Sequence, residues 1–160
     1  MLAISKILSI SILSKSVLLA KQLTFCTGYT SVPSFRNMCC ACPALEAVPK
    51  VDIDPEGVFK YILLKVHGKA KDNQEVSTTI VRGYKRCNYH SDIYDEVQAK
   101  LKNLDCEPLG GGRISHDSEN KKIHIYGYSQ GYGKADHEVA AKLIKECFPS
   151  YTITISDEGY

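Results

Sequence analysis

The run VFKYILLKVH, from Val58 to His67, sets lysines among β-branched and aromatic residues in strand fashion, and it reads as a central strand. The turn signal DIDPEG precedes it at Asp52 to Gly57, and the polar loop GKAKDNQE follows. STTIVRGY, Ser77 to Tyr84, is a second strand that ends at Gly83. A helix comes next. In NYHSDIYDEVQAKLKNL, Ile93, Val97, Leu101 and Leu104 fall at helical spacing, Asn88 or Ser91 can cap, and Asp92, Asp95 and Glu96 suit the positive end of the dipole. CEPL then reads as a short strand, the glycines behind it as a break, and RISH and KKIHIYGY as the arms of a hairpin turning at Ser118 to Lys121. Val139, Ala140, Leu143, Ile144 and Cys147 share one face of a second helix, closed by Pro149, and YTITIS from Tyr151 to Ser156 is a last strand. This order predicts an α+β fold: a single domain with a mixed sheet of about six strands and two helices packed on it.

A chain of 160 residues has material for one core. Residues 1–48 hold four of its 20 basic residues (Lys6, Lys15, Lys21, Arg36) but only one of its 18 acids, Glu46. Residues 49–160 therefore carry 16 basic against 17 acidic residues, which gives no global field for nucleic acid, so any anion site must be local. From Met1 to about Ala20 apolar residues interleave with Ser and Lys in targeting-like fashion. Lys6 and Lys15 interrupt that run, and no membrane span is expected. A mitochondrial presequence, a secretory signal or an untidy reading-frame extension are the open readings. Pro33, Pro43 and Pro49 punctuate the stretch, which puts the boundary near Val48 to Val51, with 1–48 an extension and 51–160 the folded domain.

The seven cysteines are odd in number and form no disulfide framework, pointing to a reduced compartment. A cytoplasmic location is expected, or a mitochondrial one if residues 1–48 act as a presequence. Cys39, Cys40 and Cys42 crowd three thiols into four positions, too tightly to wrap a tetrahedral ion with ease, and Cys87 has no feature of a lowered-pKa thiolate. His116, His124 and His137 lack ligand spacing and read as structural or surface residues. No metal and no cofactor are expected.

His90 stands where the second strand has ended and a helix begins, so free amide N–H groups should surround it, and helix starts hold phosphate. The same dipole end disfavours an imidazolium, leaving a neutral ring able to accept a proton or attack phosphorus. A lone histidine is more often packed or on the surface, so position alone does not decide. GGGR, Gly110 to Arg113, permits close backbone approach and supplies a guanidinium, and GYSQGYG, Gly127 to Gly133, is a glycine-rich turn with a hydroxyl. Neither has the GK[ST] ending or the GxGxxG spacing of a nucleotide loop, and strand-end punctuation is their plain alternative. Lys60 in the first strand matters only if that strand borders the site, where its ammonium would act as a point charge on phosphate. Arg82 lies near the end of the second, just upstream of the His90 turn.

Taken together, VDIDPEGVFKYILLKVH, IVRGYKRCNYHSDIYDEV, LGGGRISH, KKIHIYGYSQGYG and the closing SDEGY resemble the Janus-type phosphohistidine phosphatases, in order and across residues 51–160. The resemblance implies an α+β fold and metal-independent hydrolysis of the P–N bond of phosphohistidine in proteins, with phospholysine as a side substrate. It implies that His90, within Tyr89-His90-Ser91-Asp92-Ile93-Tyr94-Asp95, is catalytic, as general base or transient nucleophile. Lys60 matches the family's substrate-binding lysine, Ser129, Gln130 and Gly131 its substrate-contacting turn, and Arg82 and Arg113 its supporting arginines. Ser91 joins the phosphate cradle through its backbone. The implied partners are histidine-phosphorylated proteins, met by a monomer. Gly131 departs from the pattern towards a more flexible turn, and Arg86-Cys87-Asn88 adds a charge beside the site. Two rival readings stand against this. A non-catalytic phosphopeptide-binding module of the same fold could keep the cations and dispense with a neutral histidine at the helix start. A nucleic-acid-binding domain would need a basic aromatic face, which the charge balance opposes.

Overall fold

Strand β2 (Gly57–Lys69) contains Tyr61, Ile62, Leu63 and Leu64 in succession, all buried, so both of its faces need cover and both of its edges a partner. The computed structural model describes residues 42–102 and 104–157, and it supplies both. β3 (Glu75–Gly83) and β4 (Asp105–Asp117) flank β2 antiparallel. β1 (Val51–Ile53) adds parallel to β3 at one edge, and β5 (Lys122–Tyr126) pairs with β4 and carries β6 (Thr152–Ile155) parallel at the other. The sheet order is β1-β3-β2-β4-β5-β6, mixed and six-stranded.

Strand alternation divides the core in two. Ile62, Leu64 and Val66 face helix α2 (His90–Leu101), where Ile93 and Val97 meet them together with Ile80 and Tyr84. Phe59, Tyr61 and Leu63 face helix α3 (His137–Cys147), where Ala140 and Ile144 close over Val81, Ile114, Ile123 and Ile125. The α+β class, the single mixed sheet and the central place of the first long strand are as expected. None of the described helices is long and apolar enough to cross a membrane.

Several details differ from the sequence reading. CEPL, the glycines and RISH form one strand, because β2 pairs through all of them. The accommodation is a bulge: Leu63 pairs with Gly110 and Leu64 with Pro108, so Leu109 is the extra residue, and Gly110 takes φ 141°. The strand lost there is regained in β1, which occupies text read as part of a turn. Helix α2 stops at Leu101, and Leu104 reaches the core from beyond it. Neither Asn88 nor Ser91 is its N-cap. Tyr89 holds that position, and the Asp92 carboxylate reaches back to accept its N–H at 2.9 Å. In α3, Val139 and Cys147 are exposed and His137 is buried instead. A short helix, α1 (Pro43–Glu46), brings Cys42 and Leu45 into the core on the α2 side, upstream of the boundary expected near Val48 to Val51. The presequence-like text, Cys39, Cys40 and residues 158–160 lie outside the described residues.

Candidate active site

The β3–α2 connection delivers His90 as the first residue of α2, and the residue is only 7% exposed. Nε2 lies 3.0 Å from the carbonyl oxygen of Gly112 on β4. A carbonyl only accepts, so Nε2 carries the hydrogen and the neutral ring keeps its lone pair on Nδ1, which has no partner among the described residues. The ring can lie this close to β4 because position 111 has no side chain. A Cβ there would stand 2.6 Å from His90 Cδ2 and 2.9 Å from the Tyr61 carbonyl oxygen. The close backbone approach expected of GGGR is thus an approach to the imidazole itself.

Burial is the main force lowering the His90 pKa; the hydrogen bond to Gly112 acts against it, and the charges of Lys60 and Arg113 push it lower still. Those two cations are register partners on neighbouring strands, Lys60 on β2 opposite Arg113 on β4. Like charges placed directly opposite destabilise a sheet, an arrangement relieved when an anion sits between them.

The far wall is the turn from Ser129 to Gly133. Ser129 N–H donates to the Gly133 carbonyl at 3.1 Å and Gly133 N–H to the Ser129 carbonyl at 2.9 Å, closing the turn on itself. Gly111 N–H then docks it to β4 through the same Gly133 carbonyl at 3.1 Å. Ser129 is buried, and its Oγ accepts the Tyr132 N–H at 3.2 Å, which leaves the hydroxyl hydrogen for another acceptor. Nothing lies within 4 Å of a Cβ built on Gly131, so packing does not demand glycine there. Lys60, His90, Ser91, Arg113, Ser129, Gln130 and Gly131 line one cleft of about 660 Å³, open on one side.

Arg82 is not among them. Its guanidinium donates to the carbonyls of Val81 at 2.8 Å and Pro49 at 2.6 Å, and it lines a separate hollow between α1 and α2. Against the expectation, the structure does not bring it to the cleft, because nearness to the His90 turn in sequence is not nearness in space: Arg82 ties the chain ahead of β1 to the sheet. Residues without a site role in the sequence also line the cleft, namely Asn88, expected only as a cap, Tyr89 and Tyr132. Their signal was adjacency, two at the helix entry and one inside the glycine turn. The Gly112 carbonyl left no signal, since its place opposite His90 depends on the register of β4 against β2.

Two of the other histidines are tied to backbone carbonyls on the far side of the sheet from His90 or at its edge, and His116 keeps a buried Nε2 without a partner among the described residues. Tyr61 Oη donates to His137 Nδ1 at 2.6 Å, and His137 Nε2 donates to the Gly127 carbonyl at 3.0 Å. His116 Nδ1 donates to the Asp54 carbonyl at 2.8 Å. Cys87 has its thiol pKa raised, first by burial and then by Glu96, the opposite of activation. Among the described residues no group of three His, Cys, Asp or Glu side chains could hold a metal ion.

The Janus/Ocnus family model matches residues 45–152, the stretch that carries this fold and this cleft, and the chain belongs to that family. Over 120 residues it is 52% identical to the 14 kDa phosphohistidine phosphatase of Sus scrofa, covering 72% of this chain and 95% of that protein. The Homo sapiens protein of the same name is 49% identical, with 72% and 96% covered. The sex-regulated protein janus-A of Drosophila pseudoobscura pseudoobscura is 50% identical over 119 residues, with 72% of this chain and 80% of that protein covered.

Proposed function

We propose that this chain is a protein histidine phosphatase that hydrolyses the P–N bond of phosphohistidine, with His90 as the catalytic residue. The observation that carries the reading is the fixed tautomer: Gly112 holds the hydrogen on Nε2 and leaves the Nδ1 lone pair to the cleft. A module that only binds phosphate has no need of that lone pair. The phosphoryl oxygens sit between Lys60 and Arg113 and accept from the first N–H groups of α2, at His90 and Ser91, which have no acceptor within the helix. Gln130 and Gly131 close the cradle from the turn, and the Ser129 hydroxyl adds a donor. Phosphoryl transfer passes through a loose transition state with charge on three equatorial oxygens, so these donors carry most of the catalysis.

In the base route water attacks phosphorus as Nδ1 takes its proton. The P–O bond forms, the P–N bond breaks with its electron pair going to the departing imidazole, and that nitrogen recovers a proton from Nδ1–H. In the nucleophilic route the Nδ1 lone pair forms a bond to phosphorus as the substrate P–N bond breaks, its electron pair going to the departing imidazole, which takes a proton from solvent, and water later cleaves the new P–N bond to release phosphate. Both use the same atom. Labelled phospho-His90 trapped in a rapid quench marks the second route, and turnover without it marks the first. The two cations supply the charge that a divalent ion supplies elsewhere, so turnover is expected to survive a chelator.

The test is phosphate release from a chemically phosphorylated histidine peptide in EDTA. The expected result is full activity for the wild type and a loss of about 10²–10⁴-fold for His90→Ala. Activity abolished by EDTA, or retained by the variant, overturns the assignment.

A further inference from the structure

Beside the catalytic cleft lies a second hollow of about 200 Å³ that shares three of its walls, Lys60, Asn88 and Arg113, and adds Lys85 at its far side. Their shared walls make the two hollows neighbours along one groove. Lys85 is exposed, and its place at the rim of the groove is set from two sides. Its backbone N–H donates to Asp54 Oδ2 at 2.6 Å, fixing where the side chain starts. Its alkyl chain runs across Gly57, with Cδ, Cε and Nζ at 3.7, 3.6 and 3.3 Å from where a Gly57 Cβ would stand, so the chain lies in contact with that stretch of β2. Gly57 also holds φ 103°, a conformation that disfavours replacement. Many lysines of the described residues are paired, among them Lys50 with Glu146, Lys65 with Glu107, Lys100 with Glu96 and Lys134 with Asp157. Lys85 has no carboxylate within ion-pair distance among the described residues.

We propose that this extension of the groove is a specificity subsite for an acidic side chain of the substrate protein, close in sequence to the phosphohistidine. The inference rests on the phosphatase reading and names what that site prefers. Lys60 and Arg113 are engaged by the phosphoryl group, and Lys85 is the next cation along the same channel, in a chain whose folded part carries no general excess of positive charge. Lys60 and Lys85 line the same hollow, and an extended peptide advances about 3.3 Å per residue, so an acid two or three residues from the phosphohistidine reaches roughly 7–10 Å along it. The hollow suits a carboxylate in size, and its Val58 and Asn88 walls leave Lys85 as the group that selects charge.

The test uses the full chain, free phosphohistidine and two phosphohistidine peptides, identical except for aspartates or asparagines at the second and third positions on either side. At low ionic strength the aspartate peptide is expected to have the higher kcat/KM, on the order of fivefold, as an exposed ion pair gives. In Lys85→Gln that ratio falls to about one, and in Lys85→Glu it inverts. Because each variant is its own reference, a partly unfolded preparation does not change the ratio. Equal turnover of the two peptides by the wild type, or a preference that survives Lys85→Glu, overturns the subsite and leaves the phosphatase reading standing. No turnover of any of the three substrates overturns the phosphatase reading and the subsite with it.

Discussion

His90 is governed by one backbone atom and one missing side chain. The Gly112 carbonyl fixes its hydrogen on Nε2, and the bare Cα of Gly111 lets the ring lie flat enough against β4 to reach that carbonyl. Gly111→Ala puts a methyl group 2.6 Å from Cδ2 with the Tyr61 carbonyl at 2.9 Å behind it, so the imidazole must swing away. The expected outcome is a kcat lowered on the order of 10²-fold, the cost of misplacing a reacting group by about 1 Å, with KM changed far less. Steady-state kinetics beside a thermal melt separate that result from unfolding. Unchanged kcat in the folded variant would mean that the ring does not depend on this contact. Tyr61 and His137 show the other fate of a polar group in the same core: each satisfies the other, His137 ends on the Gly127 carbonyl, and no lone pair is left for chemistry.

At the scale of the element, Arg82 shows why strand membership has to be read with direction. Its buried guanidinium serves the carbonyls of Pro49 and Val81, so the connection into β1 hangs on it. Arg82→Ala strips donors from those carbonyls, a loss of about 1–3 kcal/mol if they stay dry. The expected result is a melting temperature lower by several degrees, with kcat/KM per folded molecule within about twofold of wild type. A variant that melts normally and has lost turnover would return Arg82 to the site. Helix α2 is secured differently. Asp92 accepts the Tyr89 N–H at its start, and Glu96 pairs with Arg86 and Lys100 along its exposed side. These contacts hold the entry of α2, and that entry carries the His90 ring.

Across the whole molecule, what could be read from the sequence was what depends on local period. β2, β3, β5, α2 and α3 announced themselves through alternation or helical spacing, because each buries one face or both against its neighbours. β1 did not. Three residues carry no period, and Val51 to Ile53 is a strand only because β3 is there to pair with it. The glycines of β4 looked like a break for the opposite reason: taken alone they favour no strand, yet β2 supplies partners along the whole segment and a bulge absorbs the misfit. The site divided along the same line. Lys60, His90, Arg113 and the Ser129 to Gly131 turn could be chosen from residue type and family resemblance, and the fold gathers them into one cleft. The Gly112 carbonyl, the subsite at Lys85 and the true place of Arg82 follow from register and side-chain direction, which no single stretch of text contains.

The account stands on an uncharged His90 with its hydrogen on Nε2. Histidine 15N spectra of the folded chain, followed by pH titration, observe that state directly. Near neutral pH the His90 signals are expected to report a protonated Nε2 and a bare Nδ1. Titration is expected below the ordinary imidazole value of about 6.5, because burial lowers the pKa and Lys60 and Arg113 push the same way. Since the unprotonated ring is the working form, kcat/KM should be level through neutral pH and fall only as acid reaches that lowered pKa. A hydrogen found on Nδ1, or a His90 that titrates at or above about 6.5, would contradict the mechanism.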